Sequence, residues 1–272
     1  MTDEAAPVLV LAAGQRCGST LLQRLLCSHP QVRIWGEHAG QVHPILVAAE
    51  RLRYWSDIDA VSSREEFECS GYQGFIPNLT PDRGDIEAAC RAFIETLFAK
   101  PACDAGRPIW GFKEVRYALS DVLLLRRLFP HLRVLQLVRD PRDVLCSLAE
   151  WEHNPRWTRR DTELALGLWN TVAGSFVGST ADPDLGSFIL TIRYEDLVAD
   201  RRRWTVAVAD HCALDPDLLD ESVFDKRIHA GSPWGQMDRD LQDWARQPPA
   251  LRALLDHENI QMVASAYGYD LS

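Results

Sequence analysis

A short loop near the N-terminus places one arginine and two hydroxyl side chains beside the start of a predicted helix. The loop runs from Gly14 to Gly18, contains Arg16, and is followed by Ser19 and Thr20. Because a predicted strand precedes the loop and a helix follows it, its backbone N–H groups should converge at the positive end of the helix dipole. The glycines permit a tight turn, and the arginine and hydroxyls add hydrogen-bond donors. The sequence therefore predicts a loop that binds phosphate or sulfate.

The spacing of this loop differs from three well-known phosphate-binding motifs. Only three residues separate its glycines, and Ser19 stands where a Walker A loop has lysine, which disfavours a nucleotide triphosphatase. A cysteine-phosphatase loop has five residues between its cysteine and its arginine, but Gln23 occupies the arginine position relative to Cys17. We therefore predict that Cys17 is a packing residue and not a nucleophile. The G-x-G-x-x-G fingerprint of dinucleotide-binding proteins is absent from the sequence.

The elements that must position the loop alternate between strand and helix along most of the chain. This alternation, without internal repeats, predicts one α/β domain over 1–272 with a central parallel sheet flanked by helices. Ligands of such sheets bind at the carboxyl ends of the strands. Four predicted strands are each followed by a polar or charged side chain, and these side chains should face one crevice: Arg16, Glu37, Lys113 and Arg139.

Two segments are expected to form the wall and lid of an acceptor pocket. A helix is predicted over 40–53, and the aromatic, turn-rich stretch that follows it is expected to be an insert at 54–84. The arginines and tryptophans of 151–160 predict a lid that would clamp an anionic or aromatic acceptor, although a solvated charged loop has the same composition.

Composition excludes several classes of protein. The net charge of −10 disfavours a nucleic-acid-binding surface. Seven scattered cysteines without a CxxC pair favour a reducing compartment and indicate no structural metal. The N-terminal apolar stretch lacks a basic region and is too short to span a bilayer. We therefore expect a cytoplasmic protein with no metal, no nucleic-acid partner and no membrane partner, while its oligomeric state is left open.

The loop resembles the phosphosulfate-binding loop of the sulfotransferase superfamily. Members of this superfamily take a sulfuryl group from 3′-phosphoadenosine 5′-phosphosulfate (PAPS) and release 3′-phosphoadenosine 5′-phosphate (PAP). A second motif carries the same resemblance, because Arg139 ends a predicted strand and Ser147 follows eight residues later, as in the grip on the cofactor 3′-phosphate. The resemblance covers most of the chain and implies a PAPS-dependent sulfotransferase that needs no metal.

Within the superfamily, the pattern looks most like the tyrosylprotein sulfotransferases and their bacterial relatives. Arg16 stands where the cytosolic small-molecule branch has lysine, and Glu37 follows the next predicted strand. The resemblance implies that Glu37 is the catalytic base and that Arg16 and Lys113 stabilise charge on the leaving group. In the cytosolic branch a histidine base would follow the residue at Lys113, but this chain has Glu114 and Val115 there, so Glu37 is the first choice and His38 and Glu114 remain alternatives for the base. The implied donor-binding residues are Gly14, Gln15, Arg16, Cys17, Gly18, Ser19, Thr20, Arg139, Ser147, Tyr194, Ser232 and Trp234.

The acceptor is not specified by these motifs. The resemblance to one branch favours a peptide tyrosine, and the hydroxyl or amine of a small metabolite fits equally. Two other classes of function remain as alternatives. One is a P-loop-type kinase or nucleotide phosphotransferase, for which Asp140 is the obvious magnesium ligand. The other is a non-catalytic PAP-binding module.

Overall fold

Five short apolar runs form a parallel sheet at the centre of the protein. The computed structural model describes residues 7–70, 73, 79–149, 158–226 and 241–271. The strands, in the spatial order β2-β3-β1-β4-β5, are β1 (Val8–Ala12), β2 (Val32–Trp35), β3 (Ile109–Glu114), β4 (Arg133–Val138) and β5 (Ile189–Arg193). Every residue of the central strand β1 is buried, as expected where helices cover both faces of a sheet. The predicted α/β architecture is confirmed.

Helices connect these strands and cover the sheet. They are α1 (Ser19–Ser28), α2 (His43–Ser70), α3 (Arg83–Ile94), α4 (Lys100–Asp104), α5 (Leu119–Leu128), α6 (Pro141–Ala149), α7 (Arg159–Ser175), α8 (Pro183–Gly186), α9 (Tyr194–Ala199), α10 (Arg201–Cys212), α11 (Pro249–Arg252) and α12 (Glu258–Ala266). A π-helical turn, Glu95–Ala99, joins α3 to α4. In the described ranges, no helix is both long enough and apolar enough to cross a membrane. The seven cysteines all lie at described positions and form no disulfide.

The contact between β1 and β3 fixes the height of Lys113 relative to the anion-binding loop. Val10 pairs with Lys113 across these two strands. Gly111 permits the close approach, because a Cβ atom at this position would lie 1.8 Å from the carbonyl oxygen of Val8. Lys113 therefore stands near the carboxyl end of β3, beside the point where β1 leads into the loop.

Helix α2 is the main difference from the elements predicted from the sequence. The sequence predicts a helix over 40–53 and a turn-rich insert at 54–84, but the helix continues without a break to Ser70. The predicted lid at 151–160 lies outside the described residues up to residue 157, and α7 begins at Arg159.

Polar side chains on the inner face of α2 explain why its length was missed. Arg53 is buried and forms an ion pair with Glu87 of α3, with 2.7 Å between its Nε and the carboxylate. Ser56 is also buried and donates a hydrogen bond to the carbonyl of Pro81 at 3.0 Å. Because these packed positions are polar, the apolar periodicity that identifies an amphipathic helix is weak.

Candidate active site

The order of the strands brings the predicted site residues to one edge of the sheet. Glu37 follows β2, and Lys113 is the penultimate residue of β3. The loop with Arg16 follows β1, and Arg139 follows β4. These four strands are consecutive neighbours in the sheet. Because adjacent strands lie about 4.8 Å apart, the four residues Glu37, Lys113, Arg16 and Arg139 form a row that extends over roughly 14 Å. The strand order therefore brings these four residues to the same edge of the sheet.

The backbone of the loop adopts the conformation that gathers N–H groups around an anion. Gly14, Arg16 and Gly18 have φ angles of +75°, +67° and +89°. Left-handed residues that alternate with right-handed ones form a concave nest of N–H groups. Helix α1 begins directly after this nest at Ser19, and its first turn carries no acidic residue. The positive end of the α1 dipole is therefore available to a negatively charged ligand.

Both glycines of the loop are needed for space as well as for backbone conformation. A Cβ atom on Gly18 would lie 2.3 Å from the ring of Tyr194. A Cβ atom on Gly14 would lie 3.2 Å from the backbone nitrogen of Trp169. The loop thus fits tightly against α7 and α9, and its path is fixed by packing.

The two motifs predicted to bind the donor are in direct contact. Arg16 Nε donates a hydrogen bond to Ser147 Oγ at 2.8 Å, and Arg139 Nη1 donates to the carbonyl of Arg16 at 3.1 Å. The guanidinium of Arg139 lies 4.6 Å from the centroid of the Tyr194 ring. Arg139 also forms an ion pair with Asp143, at 3.3 Å. The structure therefore brings together Arg16, Ser147, Arg139 and Tyr194.

The surroundings of Arg139 fit an anionic ligand. Its Nε is buried and has no hydrogen-bond acceptor among the described residues. Its carbonyl accepts a hydrogen bond from Trp169 Nε1 at 3.1 Å, which fixes the backbone at the end of β4. Burial raises the pKa of the neighbouring Asp143 carboxyl despite the charge of Arg139. A buried donor without an acceptor next to the N–H nest is what a bound phosphate group would satisfy.

Glu37 is held by two cations at the other end of the row. Lys113 Nζ lies 2.6 Å from Glu37 Oε1, and Arg116 Nη1 lies 3.3 Å from Oε2. The side chain of Lys113 is 8% exposed, whereas that of Glu37 is 33% exposed. The carboxylate can therefore meet a ligand from solvent, while the lysine that holds it is enclosed by the protein.

Glu114 is in a different environment, although it was an alternative for the base. It is fully buried and accepts hydrogen bonds from the backbone of Gly40 at 2.7 Å and of Val115 at 2.8 Å. Arg116 Nη1 lies 2.7 Å from its Oε1. Burial alone would lower the pKa of Arg116, but its interactions with Glu114 and Glu37 outweigh this effect and raise it. Glu114 thus ties together the loops after β2 and β3 and has no exposed oxygen to offer an acceptor.

His38 packs within an aromatic cluster. Its ring centroid lies 5.3 Å from that of Phe98, 5.1 Å from that of Phe112 and 6.5 Å from that of Tyr117. Both ring nitrogens are buried and make no hydrogen bond to any described residue. Of the three alternatives for the base, only Glu37 is both exposed and paired with the lysine of the row.

The remaining loop residues contribute in different ways. Cys17 is buried and its thiol donates to the carbonyl of Ala13 at 2.9 Å. Burial raises the pKa of this thiol to about 12, in agreement with the predicted packing role. The side-chain oxygen of Gln15 is buried without a partner among the described residues, and Ser19 is buried at the start of α1, with Thr20 half-buried beside it. Ser232 and Trp234 lie outside the described residues.

Arg116 is a site residue that sequence reasoning did not identify. It follows β3 at the same edge of the sheet, so the rule that polar groups after strand ends converge could have included it. Its role becomes visible only in the structure, because it bridges the exposed Glu37 and the buried Glu114.

Asp140, the candidate magnesium ligand of the kinase alternative, forms an ion pair with an arginine. Arg142 Nη2 lies 2.7 Å from Asp140 Oδ2, and the backbone nitrogen of Arg142 donates to Oδ1 at 2.8 Å. Both carboxylate oxygens are thus engaged within the first turn of α6. Among the residues with described side chains, no group of three or more His, Cys, Asp or Glu is arranged to hold a metal ion.

Comparison with known proteins gives one family and a set of similar folds. The model of a family described as "Sulfotransferase family" matches residues 7–217. No curated protein sequence matches the chain. The chain is similar to the sulfotransferase domain from the curacin biosynthetic pathway, with a TM-score of 0.53 and 17% identity over 98% of this chain and 99% of that one. It is also similar to the sulfotransferase domain of the Synechococcus PCC 7002 olefin synthase, with a TM-score of 0.52 and 18% identity over 100% and 98% of the two chains. A sulfotransferase from Alicyclobacillus acidocaldarius gives a TM-score of 0.50 and 14% identity over 98% and 97%.

Proposed function

Because the chain belongs to the sulfotransferase family, we propose that it transfers the sulfuryl group of PAPS to a hydroxyl or amine of an acceptor, with Glu37 as the general base. One observation carries the assignment of the base. The exposed carboxylate of Glu37 lies 2.6 Å from the enclosed Nζ of Lys113, at the strand end next to the anion-binding loop. A base and a cation at one point are what in-line sulfuryl transfer requires.

The loop and the second motif form the proposed donor site. Backbone N–H groups from Gly14 to Thr20 and the guanidinium of Arg16 surround the position of the 5′-phosphosulfate. Arg139 and Ser147 hold the 3′-phosphate, and the Tyr194 ring supports Arg139 from one side. When bound, PAPS supplies the sulfuryl group. Ser232 and Trp234 remain proposed contacts to the nucleotide.

The residues of the row have different roles in the reaction. Glu37 accepts the proton of the acceptor hydroxyl as the acceptor oxygen forms its bond to sulfur. Lys113 and Arg16 would supply positive charge where negative charge develops on the phosphate that the sulfuryl group leaves. By analogy with phosphoryl transfer, positioning and fixed charge account for most of the rate.

The acceptor is proposed only by chemical class. A peptide tyrosine and the hydroxyl or amine of a small metabolite both fit a single carboxylate base. The segment 54–84, which begins within α2, and the segment 151–160 are proposed to contribute the wall and lid of the acceptor side of the site. The scattered cysteines favour action in a reducing compartment, the cytoplasm.

A transfer assay with radiolabelled PAPS tests the proposal. The assay screens peptide, phenol, sugar and alkyl-alcohol acceptors, with the Glu37→Gln variant as the matched negative control. We expect transfer to one class of acceptor by the wild type and its loss in the variant. Calorimetry with PAP and with ATP–Mg accompanies the screen. Binding of ATP–Mg in preference to PAP would overturn the proposal in favour of a kinase, and PAP binding without transfer to any class would favour a binding module.

A further inference from the structure

Helix α2 has an outer face that is unusually apolar for a surface helix. Its inner face packs on α3 and α5 through ion pairs such as Arg53–Glu87 and Arg127–Glu50. On the outer side, five large apolar side chains are between 48% and 66% exposed: Leu52, Tyr54, Trp55, Ile58 and Val61. A groove between His43 and Trp55 adds Val47 to this surface. Contiguous exposed apolar patches on a soluble domain mark interaction sites.

The spacing of these residues forms a stripe along the helix. Val47, Tyr54 and Val61 are seven residues apart, and Ile58 lies between the last two at helical spacing. Arg51 and Glu65 complete the stripe, each seven residues from Ile58 on opposite sides. Seven residues correspond to about 10 Å along the axis, so one charge of each sign stands about 10 Å from Ile58.

The two charges are available for an intermolecular contact. Arg51 and Glu65 are both exposed. In the part of the chain that the structure describes, neither takes part in an ion pair, although many other charged residues of α2 and α3 do. The stripe therefore has an apolar centre and, towards each end, one charge of opposite sign that is not paired with any described residue.

We propose that the outer face of α2 is a self-complementary interface that pairs two copies of this chain, with the two helices antiparallel and the two-fold axis at Ile58. In this arrangement the residue at position i faces the residue at 116 − i of the second copy. Arg51 of each copy then faces Glu65 of the other, Trp55 faces Val61, and Ile58 faces itself. An isologous contact of this kind closes on itself and leaves no free edge.

Charge distinguishes this arrangement from the parallel one. In a parallel pair in register, Arg51 would face Arg51 and Glu65 would face Glu65, and both contacts would be repulsive. The antiparallel pair instead forms two opposite-charge contacts around an apolar centre, with the aromatic side chains of Tyr54 and Trp55 contributing most of the buried area. Helix α2 is about 42 Å long, which gives room for the full stripe.

Analytical ultracentrifugation of charge-reversal variants tests the interface. The wild type is expected to be a dimer at micromolar concentrations. Arg51→Glu and Glu65→Arg each replace two attractive contacts by two repulsive ones and should raise the dimer dissociation constant at least about tenfold. The double variant Arg51→Glu/Glu65→Arg restores opposite charges across the axis and should recover the dimer.

The control is Arg252→Glu on α11, an exposed charge reversal outside the stripe, which should leave the dimer unchanged. Circular dichroism establishes that each variant is folded. A monomeric wild type would overturn the proposal and assign the face to another partner. A double variant as weakly associated as the single variants would overturn the antiparallel register. Neither result depends on sulfotransferase activity, so the proposed function is tested separately.

Discussion

Arg16 Nε donates a hydrogen bond to Ser147 Oγ at 2.8 Å. This bond joins the loop after β1 to α6 and places two motifs that are far apart in sequence in one site. Arg16 has a left-handed backbone, with a φ of +67°, which is unfavourable for a residue with a side chain. The bond to Ser147 holds this conformation before any ligand arrives, and such preorganisation lowers the cost of binding.

Replacement of Ser147 by alanine should weaken donor binding. The variant leaves the Arg16 guanidinium without its hydroxyl partner and removes a proposed contact to the 3′-phosphate. A hydrogen bond to a charged group contributes about 1.5–3 kcal/mol, so PAP affinity should fall about tenfold to hundredfold in calorimetry. Thr171→Ala on α7 serves as a control, because its exposed hydroxyl donates to the carbonyl of Gly167 within the same helix. Unchanged PAP affinity in Ser147→Ala would remove this residue from the site.

Replacement of Arg139 by alanine should distinguish the two phosphates of the nucleotide. If Arg139 binds the 3′-phosphate, affinity for PAP falls about a hundredfold while affinity for adenosine 5′-monophosphate falls much less. Arg139 also donates to the carbonyl of Arg16 and therefore supports the loop. Equal losses for the two nucleotides would mean that it acts only through this support. Calorimetric titration with both ligands makes the comparison.

Replacement of Glu37 by glutamine should stop turnover and leave donor binding intact. The amide cannot accept a proton, so kcat should fall about 100-fold to 1000-fold. PAP affinity should change little, because Glu37 lies at the end of the row away from Arg139 and Ser147. The isosteric change Glu258→Gln at the start of α12 controls for the loss of one surface carboxylate. Transfer at the wild-type rate by Glu37→Gln would contradict its assignment as the base.

Replacement of Glu114 by glutamine should have a mainly structural effect. The buried carboxylate accepts from two backbone N–H groups and from Arg116, and an amide leaves part of this set unsatisfied. The free energy of unfolding should fall by about 2–4 kcal/mol in urea denaturation. Glu37→Gln removes a partly exposed carboxylate but keeps an amide oxygen that can accept from Lys113, so its effect on stability should be smaller than that of Glu114→Gln. Similar stability of the two variants would contradict the structural role of Glu114.

Two buried thiols should make the protein less stable at alkaline pH. Burial raises the pKa values of Cys17 and Cys212 from 9.0 to about 12. Below pH 9 both thiols are neutral in the folded and the unfolded chain, so their full contribution to the free energy of unfolding is present. Above pH 9 only the unfolded chain ionises them, and each thiol lowers stability by up to about 1.4 kcal/mol per pH unit until about pH 12. Thermal unfolding from pH 8 to 11 should show a steeper decline for the wild type than for a Cys17→Ala/Cys212→Ala variant, and parallel declines would refute the prediction.

The sheet and the anion-binding loop could be predicted because their signals are local. An apolar run such as Val8–Ala12 and a loop bracketed by glycines do not depend on distant residues. The order of the strands was not needed to predict one crevice, because the carboxyl ends of parallel strands always meet at the same edge.

The features that the sequence did not predict depend on contacts between residues that are distant in the chain. The second half of α2 buries polar residues against α3, so its helical pattern cannot be separated from that of a turn-rich segment by apolar periodicity. The sequence also could not distinguish Glu37 from Glu114, since one carboxylate follows a strand and the other ends one. Only the burial of Glu114, with three donors around it, separates the two roles.

The contact between Gly18 and Tyr194 makes substitutions at these two positions depend on each other. The Tyr194 ring occupies the volume into which any side chain at position 18 would project. A larger residue at 18 is therefore accessible to mutation only after position 194 has become small, and the left-handed φ of position 18 penalises that second step even then. Drift at these two positions is thus expected to be ordered in time, with a change at 194, itself constrained by the contact of its ring with Arg139, preceding any change at 18.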